Sequence, residues 1–127
     1  MSDTTTRGVR VCVTPAFLED QSEPRAGLWA FAYEVRIENA GPDTVQLLSR
    51  HWIITDANGR VEEVRGAGVV GQQPRLRPGE AFEYTSGCPL PTPMGTMHGS
   101  YQMVNQRGER FDAVIQPFTL AEPYAVN

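Results

Sequence analysis

The sequence predicts an all-β domain, a two-sheet antiparallel β-sandwich in preference to a small barrel. Three observations carry this. Hydrophobic residues alternate with period two through most of the chain, placing side chains on opposite faces of half-buried strands. Turn signals recur about every 8–12 residues, a spacing that suits short antiparallel strands. No window long enough for a helix shows the i, i+3, i+4, i+7 pattern without a Gly or Pro inside it. With 127 residues the chain has room for one core, and its 12 Gly and 10 Pro supply the turns.

Taken in order, Val9, Val11 and Val13 alternate with Arg10, Cys12 and Thr14 in a first strand that is expected to stop at Pro15, which has no N–H for a ladder. Residues 16–27 read as a loop. From Trp29 to Ile37, the residues Trp29, Phe31, Tyr33, Val35 and Ile37 share one face, with Ala30, Ala32, Glu34 and Arg36 on the other. Gly41-Pro42-Asp43 turns the chain into a strand over Val45–Thr55. There Leu47-Leu48 and Ile53-Ile54 break strict alternation, which predicts a bulge near Ser49 or Arg50. Asp56-Ala57-Asn58-Gly59 is a tight turn, because Asn and Gly accept positive φ, and it leads into a strand from Arg60 to Arg65. Pro78-Gly79 fits a type II turn, followed by a strand with Phe82 and Tyr84. Three prolines, Pro89, Pro91 and Pro93, predict an irregular 88–97. A last hairpin pairs Ser100–Val104 with Phe111–Phe118 around Asn105-Gln106-Arg107-Gly108.

Charge narrows the class of partner. The net charge is −4, and every one of the 11 basic residues is Arg. Counterion release from a nucleic acid needs a basic face. Residues 60–77 carry a local excess, Arg60, Arg65, Arg75 and Arg77 against Glu62 and Glu63, enough for a small anion and too little for a duplex. Met1–Thr6 lacks the cationic start and apolar run of a secretory signal. The longest apolar run, Leu28–Tyr33, falls far short of the ~20 residues that span a bilayer. Cys12 and Cys88 stand far apart without a CxxC, which suggests two reduced thiols in a reducing compartment. A cytoplasmic protein is expected, with no membrane partner.

Few segments carry chemistry. Gly66-Ala67-Gly68-Val69-Val70-Gly71 matches G-x-G-x-x-G, the spacing that lets backbone approach a pyrophosphate, but Pro74 and Pro78 leave no space for the helix that a dinucleotide fold requires. What survives is a nest of amides at Gly66, Gly68 and Gly71 beside Arg65 and Arg75, a candidate anion site. His51 and His98 have neither HExxH nor zinc-like spacing, and no Ser lies in G-x-S-x-G. Glu62 and Glu63 are adjacent, so pleating sends them to opposite faces. No catalytic residue, metal site or cofactor is expected. The segment Pro89–Tyr101 carries Met94, Met97 and His98 among prolines and glycines. With Arg50 and His51 it is a candidate partner surface, or else its methionines close the end of the sandwich.

Together, Ser49-Arg50-His51-Trp52, Gly66–Pro74, Leu76-x-Pro78-Gly79, Tyr84-x-Ser86-Gly87 and Pro91–Met103 resemble the ApaG family over about residues 8–120. The resemblance implies a single domain across 1–127 with an immunoglobulin-like, fibronectin type III-like sandwich and a flexible 1–6. It further implies a small bacterial cytosolic protein often encoded beside a diadenosine tetraphosphatase. Related domains are joined to eukaryotic F-box and polymerase-interacting proteins. No settled catalytic activity comes with it. The expected function is a non-enzymatic protein–protein interaction module, with weak pyrophosphate or nucleotide binding at Gly66–Gly71 as the alternative. In fibronectin-type domains a Tyr often stands six residues after the Leu of the Leu-x-Pro turn. Phe82 occupies that place here and lacks the hydroxyl of a tyrosine corner.

Overall fold

The alternating segments pair into two antiparallel sheets that face each other across one core in the computed structural model, which describes residues 1–123. The four-stranded sheet runs β1 (Ser2–Thr6), β2 (Val9–Phe17), β3 (Trp29–Asn39), β7 (Ala81–Leu90). Beside it, the five-stranded sheet runs β5 (Val61–Ala67), β4 (Val45–Asp56), β8 (Met94–Asn105), β9 (Arg110–Ala121), with the two-residue β6 (Arg75–Leu76) also paired to β4. This is a β-sandwich, consistent with the immunoglobulin-like, fibronectin type III-like class.

Alternation decides what is buried. Phe31, Tyr33, Val35 and Ile37 point into the core from β3, as the period-two pattern requires, and meet Trp52, Tyr101, Met103 and Phe118 from the other sheet. Each fully buried Val, Ile or Phe contributes about 1.5–3 kcal/mol through water exclusion. Trp52 stands edge-on to the rings of Tyr33, Tyr101 and Phe118, with centroids 5.2–6.2 Å apart.

Two bulges set the parity of the long strands. Register shifts between Leu47 and Ser49 leave Leu48 as the extra residue of β4, one position before the bulge the alternation predicts. Val45 and Leu47 face inward before it; Trp52 faces inward after it. A second shift, opposite Met97–Gly99, falls at Gln116-Pro117 of β9, where proline's missing donor is tolerated. Ala113 and Ile115 are buried before it and Phe118 and Leu120 after.

Several expectations need correction. Ser2–Thr6, expected to be flexible, forms β1 and pairs residue by residue with Val9–Val13. The first long strand does not stop at Pro15. Since β1 has ended by Val13, β2 continues as an edge strand to Phe17, where proline is allowed, and only then does the chain enter two short 3-10 turns. Nor is 88–97 irregular. Pro89 sits in β7, itself an edge, and β8 already begins at Met94, so only 91–93 turn the chain.

The predicted turns at Gly59 (φ 82°) and Gly79 (φ 88°) form as expected. Asp56 Oδ1 accepts from the amides of Asn58 and Arg60, closing the first.

Along one side the sandwich is closed, because the edge strands β1 and β9 lie together and the Val114 amide donates to Thr6 Oγ1 at 3.1 Å. On the other side, the edges of β5 and β7 leave a cleft between the sheets.

Candidate functional site

The Leu48 bulge builds this cleft. By shifting the parity of β4 it turns Arg50, Trp52 and Ile54 toward the opposite sheet and His51 away from it. Cross-strand pairing then assigns β5: Gly66 lies opposite Arg50, Val64 opposite Trp52 and Glu62 opposite Ile54. Tyr33 of β3 and Ser86 and Cys88 of β7 face them from the four-stranded sheet. The resulting hollow measures about 240 Å³ and opens to solvent.

Arg50 is half-buried and held in place from below. Its Nη1 donates to Ala67 O at 3.1 Å and Gly68 O at 2.9 Å. A Cβ on Gly66 would stand 2.8 Å from Cζ, Nη1 and Nη2 alike, so the guanidinium lies flat over that glycine. The first glycine of the G-x-G-x-x-G segment is thus a platform for an arginine. Gly68 serves a close approach: its φ is 61°, its amide donates to Leu48 O at 2.9 Å, and a Cβ would collide with Gln72 O. Val69 and Gln72 exchange both backbone hydrogen bonds, and Val70 (φ 45°) and Gly71 (φ 79°) form the left-handed tip of a two-residue hairpin. The amides of Gly68, Val69 and Gln72 already have acceptors within the protein.

Other predicted residues spread apart. Arg65 is exposed on the outer face opposite His51, whose Nε2 is 3.1 Å from Glu63 Oε1. Arg75 pairs with Gln46, about 16 Å farther along β4 at ordinary strand rise, so the two arginines do not share one site. As pleating requires, Glu62 lines the cleft while Glu63 joins His51 outside. His98 lies opposite Ile53 on β4. Met94 is half-buried at the start of β8; Met97 is 1% exposed and belongs to the core, lining the cleft opposite Ile54. Of the candidate partner surface, Met97 is therefore not available to a partner.

Burial raises the hydroxyl pKa values of Tyr33, Tyr84 and Tyr101, and the nearby Arg50 charge works against that rise at all three. Tyr84 and Tyr101 share a hydroxyl–hydroxyl hydrogen bond in the core. Burial, with the Glu62 charge adding to it, pushes the Cys88 thiol up to about 11. Cys88 is thus a buried neutral thiol, a poor nucleophile at neutral pH. Among the described residues no group of three His, Cys, Asp or Glu side chains is placed to hold a metal. Sequence reasoning missed Tyr33, Ser86 and Cys88 as cleft residues. Their signal was the alternation Tyr84-Ser86-Cys88, which puts small polar groups on an inward face.

An ApaG domain family model matches residues 19–105. Protein ApaG of Rhodospirillum centenum is 60% identical over 119 residues, covering 94% of this chain and 92% of that protein. Protein ApaG of Paramagnetospirillum magneticum is 56% identical over 124 residues, covering 98% and 95%. The crystal structure of the putative ApaA protein from Bordetella pertussis superposes with a TM-score of 0.89 at 56% identity, over 92% of this chain and 95% of that one.

Proposed function

This chain belongs to the ApaG family, and on that premise we propose that it is a non-enzymatic protein–protein interaction module of the cytoplasm. The observation that carries the reading is the free edge of β5 with the hairpin that follows it. Among the described residues strand β5 pairs only with β4, and Val61 and Val70, at 58% and 56% exposure, present apolar side chains at its two ends. An unpaired edge offers backbone donors and acceptors to an added strand, and neighbouring apolar side chains give such an addition its selectivity. His51, Arg65 and Glu63 flank the same strand on the outer face and supply polar contacts. Two separate thiols, Cys12 and Cys88, fit a reducing compartment.

The test is affinity capture with identification of what is retained. The expected outcome is a specific protein held by the wild type, lost with Val61→Asp and Val70→Asp, and kept with Val114→Asp, which changes an exposed valine on β9. Equal retention by all three variants would remove the β5 edge from the reading.

Weak pyrophosphate or nucleotide binding at Gly66–Gly71 has less geometric support, since Gly68, Val69 and Gln72 spend their amides internally and Arg75 stands away from Arg65. Its check is the amide shifts of Gly66, Gly68 and Gly71 under pyrophosphate, which should stay flat at millimolar ligand.

A further inference from the structure

We infer that the cleft between β5 and β7 is a binding site for a small organic carboxylate with a short apolar body. This goes beyond the interaction reading, because it uses the space between the sheets and not the β5 edge.

The chemistry follows from how Arg50 is held. Both of its bonds within the protein run from Nη1 to backbone carbonyls, and carbonyls orient a guanidinium without neutralising it. Among the described residues the Nε and Nη2 donors have no acceptor, and their parallel spacing matches the two oxygens of a carboxylate. Gly66 beneath the plane keeps the guanidinium from tilting away. On the facing sheet Ser86 and Tyr33 bring hydroxyls to the same hollow. Beyond them the lining turns apolar, with Ile54, Val64 and Met97.

Size and charge select among anions. At about 240 Å³ and open to solvent, the hollow has room for a small organic acid. Glu62 lies at the far end of the lining, four residues along the β4–β5 pair from the Gly66 platform. Its charge opposes a dianion in so small a space more than a monoanion. A monocarboxylate with its charged end at Arg50 and a branched or aromatic tail against Val64 and Met97 keeps its single charge away from Glu62. Phosphate and pyrophosphate can meet Arg50 but bring more charge toward Glu62 and no apolar body for Val64 and Met97.

The experiment is a titration of the full chain with 4-methylpentanoate, its amide, and inorganic phosphate, read by the Trp52 indole and the Ile54 and Met97 methyl resonances. Expected are saturable shifts of these cleft signals with the carboxylate at millimolar concentration. The amide and phosphate should bind at least roughly tenfold more weakly, the worth of one charge-assisted contact. Arg50→Gln should weaken the carboxylate by a similar factor. If Arg50→Gln fails to fold by circular dichroism, Val64→Phe, which fills the half-buried mouth, should abolish the shifts instead. No saturable shift in the wild type, equal binding of acid and amide, or shifts that map to Arg65 on the outer face would overturn the assignment.

Discussion

Asn39 shows how much a single polar side chain can hold in a core of this size. It is 1% exposed at the end of β3, its Nδ2 donates to Asp43 O at 2.7 Å and Leu76 O at 2.9 Å, and its Oδ1 accepts from the Gly41 amide at 3.0 Å. Three separate segments are tied through one amide group. Asn39→Ala leaves two carbonyls, of Asp43 and Leu76, and the Gly41 amide without this partner, so the expected loss is about 2–4 kcal/mol, read as a fall in Tm of roughly 10 °C. A change of only a degree or two would mean that water replaces all three bonds. At the surface the same chemistry is weaker and pH-dependent. Hydrogen bonds from Arg10, with Cys12 adding to them, hold the Asp3 carboxyl down to about 2 from its usual 3.8. A depressed carboxylate stabilises the fold above its ordinary pKa and loses that contribution as pH falls from there toward 2. Asp3→Asn should therefore lower stability slightly at neutral pH and flatten the acid limb in that window, the variant and the wild type converging as pH approaches 2. An unchanged limb would show that the pair is too well solvated to matter.

At the scale of elements, the bulge at Leu48 decides which side chains can form a site. Removing it restores strict alternation through β4 and drives either Val45 and Leu47 or Arg50 and Trp52 to the wrong face. Deletion of Leu48 is expected to be far worse than Leu48→Ala. The deletion should abolish cooperative unfolding, whereas Leu48→Ala, at a half-buried position whose carbonyl is its main asset, should cost about 1 kcal/mol. Comparable stability of the two variants would show that the register is set elsewhere. That bulge was legible in the sequence because Leu47-Leu48 and Ile53-Ile54 violate period two. By contrast β1 was not, since Ser2–Thr6 has no apolar alternation and owes its strand to pairing with β2 and to contact with β9. The extension of β2 past Pro15 was hidden for a related reason: whether a proline ends a strand depends on whether a neighbour waits for its N–H, and neighbours are a tertiary fact. The glycine-rich segment was hard to read for a similar reason. Its three glycines answer three local demands, an arginine platform, a close approach to Gln72 and a hairpin tip, which the letters alone cannot separate from an anion nest.

For the whole molecule, the asymmetry between a closed side and an open side predicts where the structure yields first. On the closed side β1 and β9 bridge the sheets, with Thr6 accepting from Val114. Strands β2, β3, β4 and β8 each have neighbours on both sides along most of their length. Strand β5 has one neighbour, exposed Val61, Glu62, Glu63 and Arg65, and a hairpin tip in left-handed backbone beyond it. Local opening is easiest where apolar burial is least and hydrogen bonds face solvent. Native-state hydrogen exchange should accordingly rank amides of Val61–Ala67 and the 69–72 hairpin as the least protected of the paired strands. Those of Val35, Ile37, Tyr101 and Met103 should exchange only with global unfolding. If the cleft binds a carboxylate, protection of β5 must rise with ligand while the global limit rises by the same free energy, because the ligand then favours only the closed sandwich. Protection of β5 equal to β3 without ligand would show that the open side is as firmly held as the closed one.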